Sequence, residues 1–267
     1  MIPELVIQLI IVGTMGLLIG SFLNVVIYRL PIMSYTSRAS YNLFLPRSFC
    51  PHCNTPIRIS DNIPILSYLL LKRKCRACTK PIAYRYVVVE ALTCLVCVLV
   101  TWHFGALSPK TVASLVLTCV LITLSFIDVE HSILPDAITL PSLWAGLLLS
   151  LWNVFETPTA CILGAVAGYL SLWTVYQSFK YLTGKEGMGY GDFKFLAMLG
   201  AWLGWQSIPL IVFIASILGS LVGIYLMFFK GNHRDTPIPF GPYLAMGGLV
   251  ALLWQSELTR FYLNFLL

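Results

Sequence analysis

Residues 5–28, LVIQLIIVGTMGLLIGSFLNVVIY, carry no charged side chain and exceed the roughly 20 apolar residues a helix needs to cross a hydrocarbon core. The preceding Met1-Ile2-Pro3-Glu4 lacks the basic start of a secretory signal, and the apolar run outlasts an ordinary signal core. A permanent first membrane span is expected. Similar stretches follow at Val87 to Phe104, Thr111 to Ile127, Ala137 to Trp152, Thr159 to Leu182, Phe193 to Leu203, Ile208 to Phe229 and Phe240 to Trp254. The chain is 58% hydrophobic and 10% charged, with a mean hydropathy of +0.84, whereas about a quarter of a soluble domain is charged. An ordinary soluble domain is excluded. The expected fold is an all-α polytopic membrane protein with about eight transmembrane helices.

One sizeable polar insertion, Arg29 to Arg85, interrupts this pattern. It holds ten of the seventeen basic residues: Arg29, Arg38, Arg47, Arg58, Lys72, Arg73, Lys74, Arg76, Lys80 and Arg85. Eight spans place it on the same side as the loop after Asp128, Lys180, Lys185, Lys194, Lys230 and Arg234, leaving only Lys110 and Arg260 opposite. Basic loops stay in the cytoplasm, so the insertion is expected there, with both termini outside. The domains expected are a first transmembrane helix (1–28), a small cytoplasmic domain (29–86) and a seven-helix membrane domain (87–267). With Asp61 its only acid before Glu90, the insertion suits anionic lipid headgroups or simply enforces topology. No nucleic-acid partner is expected, and the oligomeric state stays open. Four Gly-x-x-x-Gly pairs (Gly16/Gly20, Gly164/Gly168, Gly200/Gly204, Gly219/Gly223) predict close helix crossings, within one chain or between chains.

Two kinds of chemistry stand out. Cys50-x-x-Cys53 and Cys75-x-x-Cys78 lie within the insertion, and paired knuckles of this type form a tetrahedral thiolate site for zinc. Four sulfur ligands close such a site, so the Zn2+ would be structural. The other cysteines, Cys94, Cys97, Cys119 and Cys161, lie in apolar runs and read as small buried hydrophobes. Acids at membrane helix ends are costly unless solvated, paired or used. Asp128 closes the third span, and Asp192 opens the sixth in Gly189-Tyr190-Gly191-Asp192-Phe193-Lys194. Two carboxylates in close reach share a proton and can activate water against a peptide carbonyl. Gly189 and Gly191 would let an extended substrate approach the backbone closely. Position alone fits solvated helix-end acids equally well, and an ion or proton-coupled transporter using Asp128 and Asp192 is the competing reading.

Gly189-x-Gly191-Asp192 with an earlier span-end aspartate resembles the Gly-x-Gly-Asp class of intramembrane aspartic proteases. Within that class the chain is similar to the type IV prepilin peptidase and N-methyltransferase family. The resemblance runs through Gly20 to Pro31, Cys50 to Cys53, Asn62 to Ser67, Ile127-Asp128 through Leu134-Pro135-Asp136, Gly189 to Lys194, and Pro237 to Pro242. It departs mildly at Val87, where a proline is usual, and at Arg73, where a glycine is common. The resemblance implies a protein of the bacterial inner membrane, with the cysteine domain and active site facing the cytoplasm. It would remove the basic leader of prepilins or pseudopilins of type IV pili and type II secretion, cutting after a glycine, and then methylate the new amino terminus with S-adenosylmethionine. The family's catalytic aspartates map onto Asp128 and Asp192, with Glu130 and Asp136 as rivals for the first. No glycine-rich nucleotide loop is present. The methyl donor is therefore expected where the cytoplasmic domain meets the bundle, with Glu90 as the candidate contact. The alternative for Glu90 is a helix-start acid favoured by the dipole and paired with Arg85.

Overall fold

The computed structural model describes residues 2–35, 42–105, 108–230 and 238–266. Arg38, Arg234 and Pro237 lie outside the described residues. Nine helices account for the described architecture: α1 (Ile2–Tyr35), α2 (Leu66–Leu70), α3 (Arg85–Phe104), α4 (Pro109–His131), α5 (Asp136–Ser150), α6 (Pro158–Thr183), α7 (Tyr190–Leu203), α8 (Ile208–Lys230) and α9 (Gly241–Leu266). Each of the eight apolar stretches falls on its own helix, with α5 ending two residues before Trp152 and α9 starting one residue after Phe240, and α2 is the short extra one within the polar insertion. Among the described residues, pairing outside helices is limited to two isolated bridges, Phe49 with Pro56 and Lys74 with Pro81. Five helices among them, α1, α3, α4, α6 and α8, are long and apolar enough to cross a membrane. α8 leaves all but 11% of its most apolar window outside the protein interior, as a lipid-covered helix would.

The chain divides into two units, Met1–Thr123 and Leu124–Leu267, with the division falling inside α4. In the first unit α1 packs on α3. A Cβ at Gly16 would lie 2.9 Å from Cys94 Cα, and one at Gly20 would lie 2.8 Å from Glu90 Cα. These two glycines therefore let the helix backbones touch, which is how helices gain contact in lipid. One turn on, Asn24 Nδ2 donates across the pair to the Tyr86 carbonyl at 3.0 Å. α1 continues past the apolar stretch through Pro31 to Tyr35, although an interior proline forfeits one backbone bond and crowds the preceding turn. Arg29, buried, donates from Nη1 to the Asn42 carbonyl (2.9 Å) and from Nη2 to the Pro46 carbonyl (2.7 Å), fastening the start of the polar segment to the end of α1. Of the four cysteines read as buried, Cys97 and Cys161 are so, whereas Cys94 and Cys119 are half-buried.

The second unit is built around α7. From Asp192 to Leu203 every residue except Lys194 is buried. Three neighbours enclose it. α6 meets it through Gly164 on Gly200 and Gly168 on Leu196, where an added Cβ would collide with backbone. α5 meets it at Trp202, whose indole lies against Gly146 and whose Nε1 donates to the Ser142 carbonyl at 2.7 Å. α9 presents Gly248 to Leu199, and α8 and α9 meet through Gly247 on Ile211 and Gly219 beside Tyr243. Gly16, Gly20, Gly164, Gly168 and Gly200 thus serve helix contacts within one chain, whereas Gly223 meets only the Ile238 side chain. A helix of 14 residues is tolerated at this position because protein surrounds it.

Candidate active site and metal centre

Asp128 sits near the end of α4 and Asp192 in the first turn of α7. Both are buried, at 5% and 8% exposure, whereas the neighbouring Glu130 and Asp136 are exposed. Burial distinguishes the two candidates from their rivals, since ionised carboxylates are excluded from interiors unless paired or hydrogen-bonded. The two carboxylates interact electrostatically. Each also receives a hydrogen bond from the backbone of a glycine. Gly189 bonds the Asp192 carboxylate, and the Gly241 N–H donates to Asp128 Oδ2 at 2.8 Å. Two desolvated carboxylates that feel each other's charge resist double ionisation.

Other residues shape the rim around them. The connection between α4 and α5 passes over Gly191, where a Cβ would lie 2.9 Å from Leu134 Cβ. Asp136 opens α5 and accepts from Lys194 Nζ at 2.8 Å with both carboxylate oxygens. That ion pair ties the start of α5 to α7 two residues after Asp192. Asp136, the closest sequence rival, is thereby engaged by a lysine. The loop before Gly189 is held by Glu186, which accepts from Lys180 Nζ at 2.7 Å. This bond and the lysine charge keep the Glu186 carboxyl below its ordinary range. Gly189 itself is exposed and Gly191 half-exposed, so backbone is accessible beside a buried acid. The sequence alone assigned no place beside the acids to Lys194, Leu134 or Gly241. The Pro239-Phe240-Gly241-Pro242 run was a visible signal, but nothing in it indicated that Gly241 would meet an acid 113 residues away.

In the first unit the four cysteines of the insertion form a cluster whose sulfur atoms all lie within 4.8 Å of one another. Cys50 and Cys78 Sγ are 3.9 Å apart, close to the separation of about 3.8 Å that tetrahedral ligands at Zn–S distances of ~2.3 Å require. The cluster is built from one turn used twice. Cys50 N–H donates to Thr55 O and Asn54 N–H to Cys50 O, and the same bonds recur as Cys75 to Lys80 and Thr79 to Cys75. Asn54 and Thr79 both adopt positive φ, 55° and 58°, which turns each pair of cysteines toward a common centre. Hydrogen bonds with the Thr55 side chain and backbone hold the Cys53 thiol down at about 6, and the Cys78 and Ala77 amides lower Cys75, whereas at Cys78 the lowering by the Lys80 amide is outweighed by burial and by the three neighbouring thiols, which push it up to about 11. Thiols with thiolate character are what a metal ligand set needs. The donor set and spacing fit a closed structural zinc site.

Glu90, in the same unit, is buried. It lies in the second turn of α3, and its Oε2 accepts the Ile65 N–H at 2.8 Å, with Ser21 as a further hydrogen-bond partner. Ile65 stands at positive φ, 59°, immediately before α2. The carboxylate therefore caps the turn that starts α2. This hydrogen bond is a function the sequence did not suggest for Glu90.

Comparison with known proteins identifies the family over most of the chain. Residues 14–104 match the bacterial peptidase A24 N-terminal domain, and residues 115–224 match the type IV leader peptidase family. The chain is 51% identical to a prepilin leader peptidase/N-methyltransferase of Aeromonas hydrophila, over 94% of this chain and 92% of that protein. A Pseudomonas aeruginosa protein of the same name is 47% identical over the same shares. One from Legionella pneumophila is 40% identical over 96% of this chain and 94% of the relative. No solved structure matches the chain.

Proposed function

Given that the chain belongs to the type IV leader peptidase family, we propose that it is a membrane aspartic endopeptidase that removes the leader of prepilins or pseudopilins and then N-methylates the new amino terminus. The observation that carries the catalytic assignment is the pair of buried, interacting carboxylates, Asp128 and Asp192, each bonded by a glycine backbone. With one proton shared, the ionised member takes a proton from water as the water oxygen attacks the scissile carbonyl. The protonated member donates to the carbonyl oxygen. Collapse of the tetrahedral intermediate breaks the C–N bond, and the leaving amine takes a proton from the pair. Gly189 and Gly191 hold the extended substrate against exposed backbone.

Cys50, Cys53, Cys75 and Cys78 hold a structural zinc ion, which would cross-link a segment that has little apolar core of its own. That segment belongs to the domain of residues 29–86 and faces the cytoplasm, as its basic residues require. Contact with anionic lipid accounts for a basic surface better than attraction of a basic leader does. S-adenosylmethionine supplies the methyl group, and Glu90 is the candidate acid for its amine or for the substrate amine, provided its bond to Ile65 is kept.

The test is to incubate the purified full-length protein with a prepilin and S-adenosylmethionine and to weigh the mature product. The expected product has lost its leader and gained one methyl group. Glu90→Gln is expected to lower methyl transfer while leaving cleavage largely intact. Loss of both activities together, or of neither, removes Glu90 from the methylation site.

A further inference from the structure

The run Pro239-Phe240-Gly241-Pro242 performs no step of the reaction as proposed, yet it touches the centre of the site. Gly241 is the first residue of α9. The first N–H groups of a helix have no intrahelical partner, and in a buried setting such an orphan donor is costly. Here the donor is satisfied by Asp128 Oδ2 at 2.8 Å, and the positive end of the α9 dipole faces the same carboxylate. There is no space for a side chain at this position. A Cβ on Gly241 would lie 2.7 Å from Asp128 Oδ2 and 3.2 and 3.3 Å from its Cγ and Cβ. Asp128 is short and buried on α4, so its carboxylate would have to leave its present orientation. Pro242 follows naturally, because a proline in the first turn forfeits no intrahelical bond and its φ is already helical.

We infer that Gly241 is a positioning residue for peptide cleavage, its amide fixing the Asp128 carboxylate as the Gly189 backbone fixes that of Asp192. This rests on the reading of Asp128 and Asp192 as the catalytic pair. Two chain segments far apart in sequence then each supply one glycine to one acid, and the pair is oriented before substrate arrives. Such preorganisation acts on the chemical step more than on substrate binding.

In full-length protein reconstituted in nanodiscs, Gly241→Ala is expected to lower kcat for prepilin cleavage about 100-fold, the scale of an ångström-level misplacement. KM should stay within about three-fold, since only transition-state interactions are lost. Gly223→Ala is the control, because a Cβ there meets only Ile238 Cδ1 at 3.5 Å, and it should cleave normally. A second measurement leaves Gly241 intact. Residue-resolved hydrogen exchange of its amide should speed up at least ~10-fold in Asp128→Ala, which removes the acceptor and opens the N–H to solvent. Asp192→Ala should leave that exchange rate near wild type. Wild-type kcat in Gly241→Ala, or unchanged Gly241 exchange in Asp128→Ala, overturns the positioning role. An active Asp128→Asn would instead overturn the catalytic pair itself.

Discussion

The cysteine cluster and the aspartate site solve the same problem, holding reactive side chains in fixed geometry, by opposite means. The cluster draws its four ligands from two turns of identical construction, in a segment that is largely exposed and has few buried apolar residues between Cys50 and Val89. The aspartate site draws on α4, α7 and α9, and its supporting helix α7 is buried almost throughout. Local turns can be positioned by backbone bonds and a cross-linking ion, and small domains lacking a core commonly depend on a metal. Acids that must stay buried and close together need packing on every side.

The largest effect should come from the packing. Gly200→Leu places a branched side chain where even a Cβ would collide with the Gly164 backbone, and overpacking of this kind typically costs ~1–3 kcal/mol or more. A lower melting temperature in detergent, with loss of prepilin cleavage, is expected. A variant that melts and cleaves like wild type would show that the α6 to α7 contact is dispensable. The metal centre predicts a more local loss. Cys53→Ser with Cys78→Ser, or a strong chelator, should leave elemental analysis without zinc and make the segment from Arg47 to Lys80 protease-sensitive, while the helical melt is retained. Zinc-free protein with a protected segment would remove the cross-link from the account.

At the rim the effects shrink. Asp136→Asn breaks an exposed ion pair with Lys194, and pairs of this type contribute at most about 1 kcal/mol. Cleavage should therefore fall no more than about ten-fold, because the buried acid is Asp128. Complete loss in a folded Asp136→Asn would make Asp136 the catalytic partner. Glu186→Gln should do least of all, slightly loosening the loop before Gly189. The Glu186 carboxyl is held below its ordinary value by Lys180. Its contribution is therefore present above the unfolded carboxylate pKa and lost as pH falls through the lowered folded value. Loop exchange should therefore be slightly faster in Glu186→Gln than in wild type near neutrality, and the two should converge in acid; a difference that grows as the pH falls through the carboxylate range would contradict that sign.

Much of this was legible in the sequence because hydropathy and short motifs are local. All eight apolar stretches fall on helices, and the Cys-x-x-Cys pairs announced a cluster that the fold brings together. The Gly-x-x-x-Gly pairs announced close approaches but not partners, since Gly164 meets Gly200 through a crossing that no short window contains. Glu90 illustrates the limit. A buried acid near a span start looks available for a ligand, but its bond to the Ile65 amide depends on a left-handed turn that nothing in Asn62-Ile63-Pro64-Ile65 requires. Gly241 escaped for the same reason, its partner being 113 residues distant.

The central claim is that Asp128 and Asp192 act as one catalytic pair. The direct measurement is mass spectrometry of a prepilin incubated with wild-type protein, Asp128→Asn and Asp192→Asn, each shown to be inserted and folded by its melting behaviour. An amide cannot share the proton the pair requires, so each variant should lower cleavage at least ~1000-fold, and each to a similar extent. Normal cleavage by either folded variant would contradict the account.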